Sequence, residues 1–214
     1  MSLTYLETIN LNMFVVVPSA VFLALMGPEM VDLIYRWGAF TSMDSHHTSL
    51  ALLHYSYGLI GFAAVRVTVP FFYAFGDSRL PMRISVLAVA INIILYYPMI
   101  KILDFAGLAA ATSIGGLVNF IVLVAYLPSR GIIIPWGQLL LNLTRIGVAS
   151  LLAFHLARLL PFRFTSDWPT LVNRLLDLFL PMTVAVLLYF IFCWVLRVRE
   201  VRQVGSYFRR TRQP

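Results

Sequence analysis

Residues 61–85 read GFAAVRVTVPFFYAFGDSRLPMRIS. The stretch is almost wholly apolar up to Phe75, then breaks into Gly76, Asp77, Ser78 and Arg79. A long apolar run that stops abruptly at a turn-forming, charged segment reads as the end of a membrane span entering a polar loop. The rest of the chain agrees. Of its 214 residues 60% are hydrophobic and 12% charged, with a mean hydropathy of +0.86. Soluble domains do not have this composition.

One residue resists the simple reading. Arg66 lies ten residues before Gly76, which at 1.5 Å per helical residue is about 15 Å, near the middle of a hydrocarbon core about 30 Å thick. Placing an arginine there costs about 2.5–3.5 kcal/mol on insertion scales, so the side chain is expected to face a polar cavity or a partner. A structural role remains the alternative if the helix protrudes and Arg66 lies closer to an interface. In a cavity, the planar guanidinium suits a phosphate, because its fork can donate two parallel hydrogen bonds.

Working outward, the apolar runs predict an all-α integral membrane protein of six spans. They are approximately 9–27, 46–75, 82–103, 106–127, 139–160 and 171–196. The second is long enough to need tilt, a kink or protrusion, with Pro70 and Gly76 as the places for a kink and a stop. Between the first two spans, Met30, Leu33, Ile34 and Trp37 recur at helical spacing, which predicts a separate short helix lying in the interface. Thr41 and Asp44 then have the spacing of a capping box for the next helix. Residues 1–130 are expected to form four spans, 131–196 two further ones, and 197–214 a basic tail.

Six spans place both ends of the chain on one side. If that side is cytoplasmic, Arg79, Arg83, Arg130, Arg145 and six tail arginines lie inside, ten in all. Arg36, Lys101, Arg158, Arg163 and Arg174 lie outside. The positive-inside bias favours this orientation. The net charge of +7 is therefore read as topology and as attraction of the tail to anionic lipid, not as nucleic-acid binding.

Other candidate chemistry is thin. Asn92 and Asn119, in the third and fourth spans, could bond across helices or contact a substrate. Ala111 with Gly115, and Thr112 with Gly116, repeat at four-residue spacing and allow close helix approach. Tyr96, Tyr97 and Pro98 read as interfacial anchors. Gly76-Asp77-Ser78-Arg79-Leu80 lacks the second glycine of a nucleophile elbow. His47 and His54 share a face without a third metal ligand, and His155 stands alone. Cys193, the single cysteine, is expected in the core, with palmitoylation the alternative. Asp177 is expected to pair with Arg174. No enzyme, metal or cofactor is expected.

Three stretches resemble the MurJ/MviN family of lipid II flippases: VPSAVFLALMGPEMVDLIYRWGAFTSMDS at 17–45, YSYGLIGFAAVRVTVPFFYAFGDSRLPMRIS at 55–85, and NIILYYPMIKILDFAGLAAATSIGGLVN at 92–119. The GAFT at 38–41 and the FYAFGDSRLP at 72–81 are the most specific. The latter is similar to a family loop of the form Phe-Tyr-Ala-x-x-Asp-x-x-x-Pro. The resemblance implies the multidrug/oligosaccharidyl-lipid/polysaccharide exporter fold, with this chain matching spans nine to fourteen of fourteen. It further implies a polyprenyl-pyrophosphate-linked substrate, a separate N-terminal half as partner, a bacterial inner-membrane location, and a cavity role for Arg66. The family's arginines on earlier helices have no counterparts here. A related drug or polysaccharide-lipid exporter, or a non-transporting scaffold, are the alternatives.

Overall fold

The computed structural model describes residues 1–159 and 170–201, with side chains at 170, 171 and 174 left aside. The expected Arg174–Asp177 pair, Arg163 and the tail from Arg202 onward lie outside the described residues. The described chain is helical, with six helices long and apolar enough to cross a membrane. These are α1 (Ser2–Tyr35), α2 (Ser42–Ala74), α3 (Arg79–Leu103), α4 (Ala106–Tyr126), α5 (Trp136–Leu159) and α6 (Thr170–Val195).

The expected interfacial helix is not separate. Its residues continue α1 through Gly27 and Pro28 to Tyr35, making one helix of 34 residues. A proline inside a helix removes one backbone donor, and a helix survives this where tertiary contacts hold the next turn. Here Ser45 of α2 supplies a tertiary contact by donating to the Asp32 carboxylate, which also pairs locally with Arg36 at 2.8 Å. Met30, Leu33 and Ile34 thus belong to a spanning helix extended by about two turns, Trp37 lies just beyond its end, and Ile34 and Trp37 remain exposed.

Both ends of α2 follow from sequence. At its start, the Thr41 hydroxyl accepts from Asp44 N–H while the Asp44 carboxylate accepts from Thr41 N–H at 2.9 Å. Two free donors of the first turn are satisfied reciprocally. At its end, Gly76 adopts φ +74, a left-handed conformation open to glycine at little cost. Its N–H then bonds Tyr73 O at 2.9 Å and Asp77 N–H reaches Phe72 O at 3.1 Å. Pro70 sits within the helix and does not end it.

The chain divides into two compact units, residues 1–135 and 136–214. In the first, α2 packs on α1 and on α4, and α3 packs on α4. Tyr5, Ile9 and Met13 of α1 are buried, as are Ala64, Thr68 and Phe72 of α2. The α2–α4 seam is built on glycine. A Cβ on Gly61 would come within 2.9 Å of the Gly116 and Leu117 backbone, and Gly58 lies against Ser113. The small residues Gly115 and Gly116 therefore serve two seams, since Gly115 faces Asn92 of α3. After α4, one 3-10 turn at Leu127–Arg130 leads into the buried Ile132 and Ile134, and Ile133 N–H donates to Ser2 Oγ at 3.1 Å.

In the second unit α5 packs on α6. Ile146, Ala149, Ala153 and Ala157 are buried along α5, and Leu178, Ala185, Tyr189 and Cys193 along α6. Repeats of three and four residues on both helices give each a single packed stripe. Beyond α6, Glu200 is buried and accepts from Asn142 Nδ2 of α5 at 3.0 Å.

Candidate functional site

Arg66 lies on α2, eight residues from its last residue, Ala74, or about 12 Å along the axis. Its neighbours on the helix surface explain which way it faces. Ala64, Thr68 and Phe72 are buried, with Thr68 bonded to Tyr5 of α1, and Gly58 and Gly61 abut α4. Tyr55, Phe62, Arg66, Pro70 and Tyr73 are exposed on the remaining side. Among the described residues Arg66 has no ion-pair or hydrogen-bond partner. A guanidinium on the open side of a spanning helix faces either hydrocarbon or a polar compartment, and only the second is cheap.

The two asparagines are not part of that face. Asn119 of α4 donates from Nδ2 to Ser85 Oγ of α3 at 3.3 Å, and Asn92 of α3 sits over Gly115 of α4. Both lie in the α3–α4 seam. Their amide oxygens are buried without a hydrogen-bond partner, so each keeps unused acceptor capacity. No hydrogen bond joins either asparagine to Arg66. The three residues singled out from sequence therefore form two places, one open and basic, the other enclosed and neutral.

The family-like loop after α2 has a defined job at one end of the first unit. Asp77 Oδ1 accepts from Leu80 N–H at 3.0 Å in the opening turn of α3, and Asp77 Oδ2 pairs with Arg130 beyond α4. The Leu80 amide first, and then the Arg130 guanidinium, hold the Asp77 carboxyl below the usual carboxylate range. The loop thus ties the α2–α3 turn to the end of α4. The sequence signalled Asp77 through the loop's pattern, whereas its partner 53 residues away had no local signal. Phe62 was also unmarked. Its ring lies over Gly116, where a Cβ would meet it at 2.6 Å.

Among the described residues the histidines belong to no cluster of three or more metal-ligating side chains. His54 Nδ1 is 3.0 Å from the Tyr57 hydroxyl, and His47 has its ring edge-on to Phe105.

Residues 3–179 match the family model described as lipid II flippase MurJ. Probable lipid II flippases MurJ of Buchnera aphidicola subsp. Schizaphis graminum and of Rhizobium meliloti are similar in sequence. The first is 27% identical over 94% of this chain and 40% of its own length, the second 31% over 65% and 26%. The lipid II flippase MurJ of Burkholderia cenocepacia is 26% identical over 90% of this chain and 37% of its own length. A solved structure of a lipid II flippase MurJ in an inward closed conformation superposes with a TM-score of 0.73. It covers 91% of this chain and 38% of that one at 23% identity, which makes it a likeness of fold. The chain spans two fifths or less of these relatives, a share that fits six helices of a fourteen-helix plan.

Proposed function

The chain belongs to the lipid II flippase MurJ family, and from that premise we propose that it acts as the C-terminal portion of a lipid II flippase in a bacterial inner membrane. The observation that carries this reading is the family match over residues 3–179, joined to six spanning helices. Helices α1–α4 are then four helices of a second transporter bundle, and α5 and α6 are additional helices that guide the polyprenyl chain. Both termini are cytoplasmic on this reading, supported by the excess of arginines on that side.

The chemistry is transport, without covalent change to the substrate. A cavity opens to one leaflet and then the other as two bundles rock, so the polar headgroup crosses while the lipid tail stays in hydrocarbon. Arg66 helps neutralise the pyrophosphate, for which its exposure and, among the described residues, its lack of a carboxylate partner leave it available. The unused oxygens of Asn92 and Asn119 are candidate acceptors for substrate donors when the α3–α4 seam opens. A partner comprising the remaining helices completes the cavity.

The test is complementation. In a bacterium depleted of its own lipid II flippase, this chain restores growth when a matching N-terminal half is supplied separately, and Arg66→Gln reduces that rescue. Failure of correctly inserted protein in both settings, alone and with the half, removes the reading.

A further inference from the structure

We propose that Tyr55 and Phe62 form, with Arg66, a stacking platform for the sugar portion of a diphosphate-linked glycolipid. This rests on the flippase reading and extends it from the phosphates to the glycan. At 100° per residue, Tyr55 lies about 20° and Phe62 about 40° around the helix from Arg66, at about 16 Å and about 6 Å along the axis. The three side chains therefore share one narrow face. A face that excludes hydrocarbon at Arg66 excludes it at Phe62, one turn away, so these aromatic rings border the polar compartment.

Aromatic rings in such a place call for a ligand that is apolar on one face and wet at its edges. Tyr55 is 45% and Phe62 38% exposed. Pyranose rings fit, because their axial C–H groups meet the negative face of an aromatic while their hydroxyls stay hydrated. Phe62 is also seated: it rests over Gly116 of α4, where a Cβ would displace it. The glycine sets how far the ring stands out from the helix. A pyrophosphate held at Arg66 would bring the first sugar next to Phe62, and a second along the helix toward Tyr55. Tyr73 lies on the same face but at the helix end, where a tyrosine is an ordinary interfacial anchor, and it is left out of the platform.

The experiment measures binding to the 214-residue chain in nanodiscs, alone and with an N-terminal half supplied in trans. Two probes are titrated: polyprenyl pyrophosphate, and the same lipid carrying a disaccharide. The expected result is that the disaccharide strengthens binding about tenfold. Phe62→Leu and Tyr55→Leu, which keep apolar volume, should each weaken disaccharide-lipid binding about threefold, the share of one of two stacking contacts in a tenfold gain. Neither should alter binding of the bare pyrophosphate lipid, and Phe62→Tyr should restore the gain. Arg66→Gln should weaken both probes. If the leucine variants bind both probes as the parent does, the platform is wrong while the phosphate role of Arg66 stands. If neither probe binds in either preparation, the flippase reading fails and the platform falls with it.

Discussion

The Tyr5 hydroxyl lies 3.0 Å from Thr68 Oγ1, with both residues buried between α1 and α2. Thr68 gives its own proton to Ala64 O at 2.8 Å, so Tyr5 must be the donor between the helices. Its ring also meets Phe71 edge-on. Tyr5→Phe keeps that ring contact and is expected to cost about 0.6 kcal/mol, the average for such bonds within membranes. Thr68→Val strands the buried tyrosine hydroxyl and should cost more, about 1–3 kcal/mol. Thermal unfolding of both variants and the double mutant in one detergent tests the order.

Gly61 and Gly58 face the same helix but should respond differently. Gly61→Ala meets backbone at Gly116 and Leu117, which only a helix displacement relieves, at about 1–3 kcal/mol. Gly58→Ala first meets the Ser113 hydroxyl, which otherwise donates to His54 O at 2.8 Å. Ser113→Gly in the Gly58→Ala background should recover only part of the stability, since the added Cβ would still lie 2.9 Å from the residue 113 Cα, whereas no single side-chain truncation should rescue Gly61→Ala at all.

Asp104 joins α3 to α4 at φ 48 and ψ −133, a conformation that suits glycine and strains other residues. The side chain is exposed, so its loss removes no packing. Asp104→Gly should raise the stability of the first unit by about 1 kcal/mol, and Asp104→Val should lower it by at least as much. Equal melting temperatures for the three proteins would contradict the strain argument.

The carboxyl of Asp77 is held below its ordinary range, so its contribution to stability has a definite sign with pH. The contribution is complete above the unfolded carboxylate range. It is lost as pH falls through the lower folded value. Unfolding followed from pH 7 to below 4 should therefore show a loss in the parent that is absent in Asp77→Asn, whose stability is already reduced at neutral pH. Arg130→Gln should reproduce part of the neutral-pH loss and leave the Leu80 contact in place.

The division between what could be read from the chain and what could not follows the range of the forces involved. The Thr41–Asp44 cap and the Gly76 stop are made by residues three to five apart, and both are visible as patterns. The end of α1 is not visible in this way, because Pro28 and a polar stretch imitate a boundary, while the tertiary contact beyond it, Asp32 with Ser45, depends on α2 returning alongside. The same holds for the site. The position of Arg66 along α2 follows from counting residues, but the separation of Asn92 and Asn119 from it does not. Nor does the seating of Phe62 on Gly116, because helix spacing says that Gly116 admits a neighbour without saying which one.

The bond from Ile133 N–H to Ser2 Oγ has a consequence for gene architecture. It brings the opening of the first helix beside the segment that leaves the fourth, so the two ends of the four-helix unit meet. A short peptide joining residue 135 to residue 1, with new termini cut in the loop at residues 36–41, would reorder the helices in sequence without moving any of them in space. The unit should accept such a circular permutation, and equally its insertion as a cassette between two other spans.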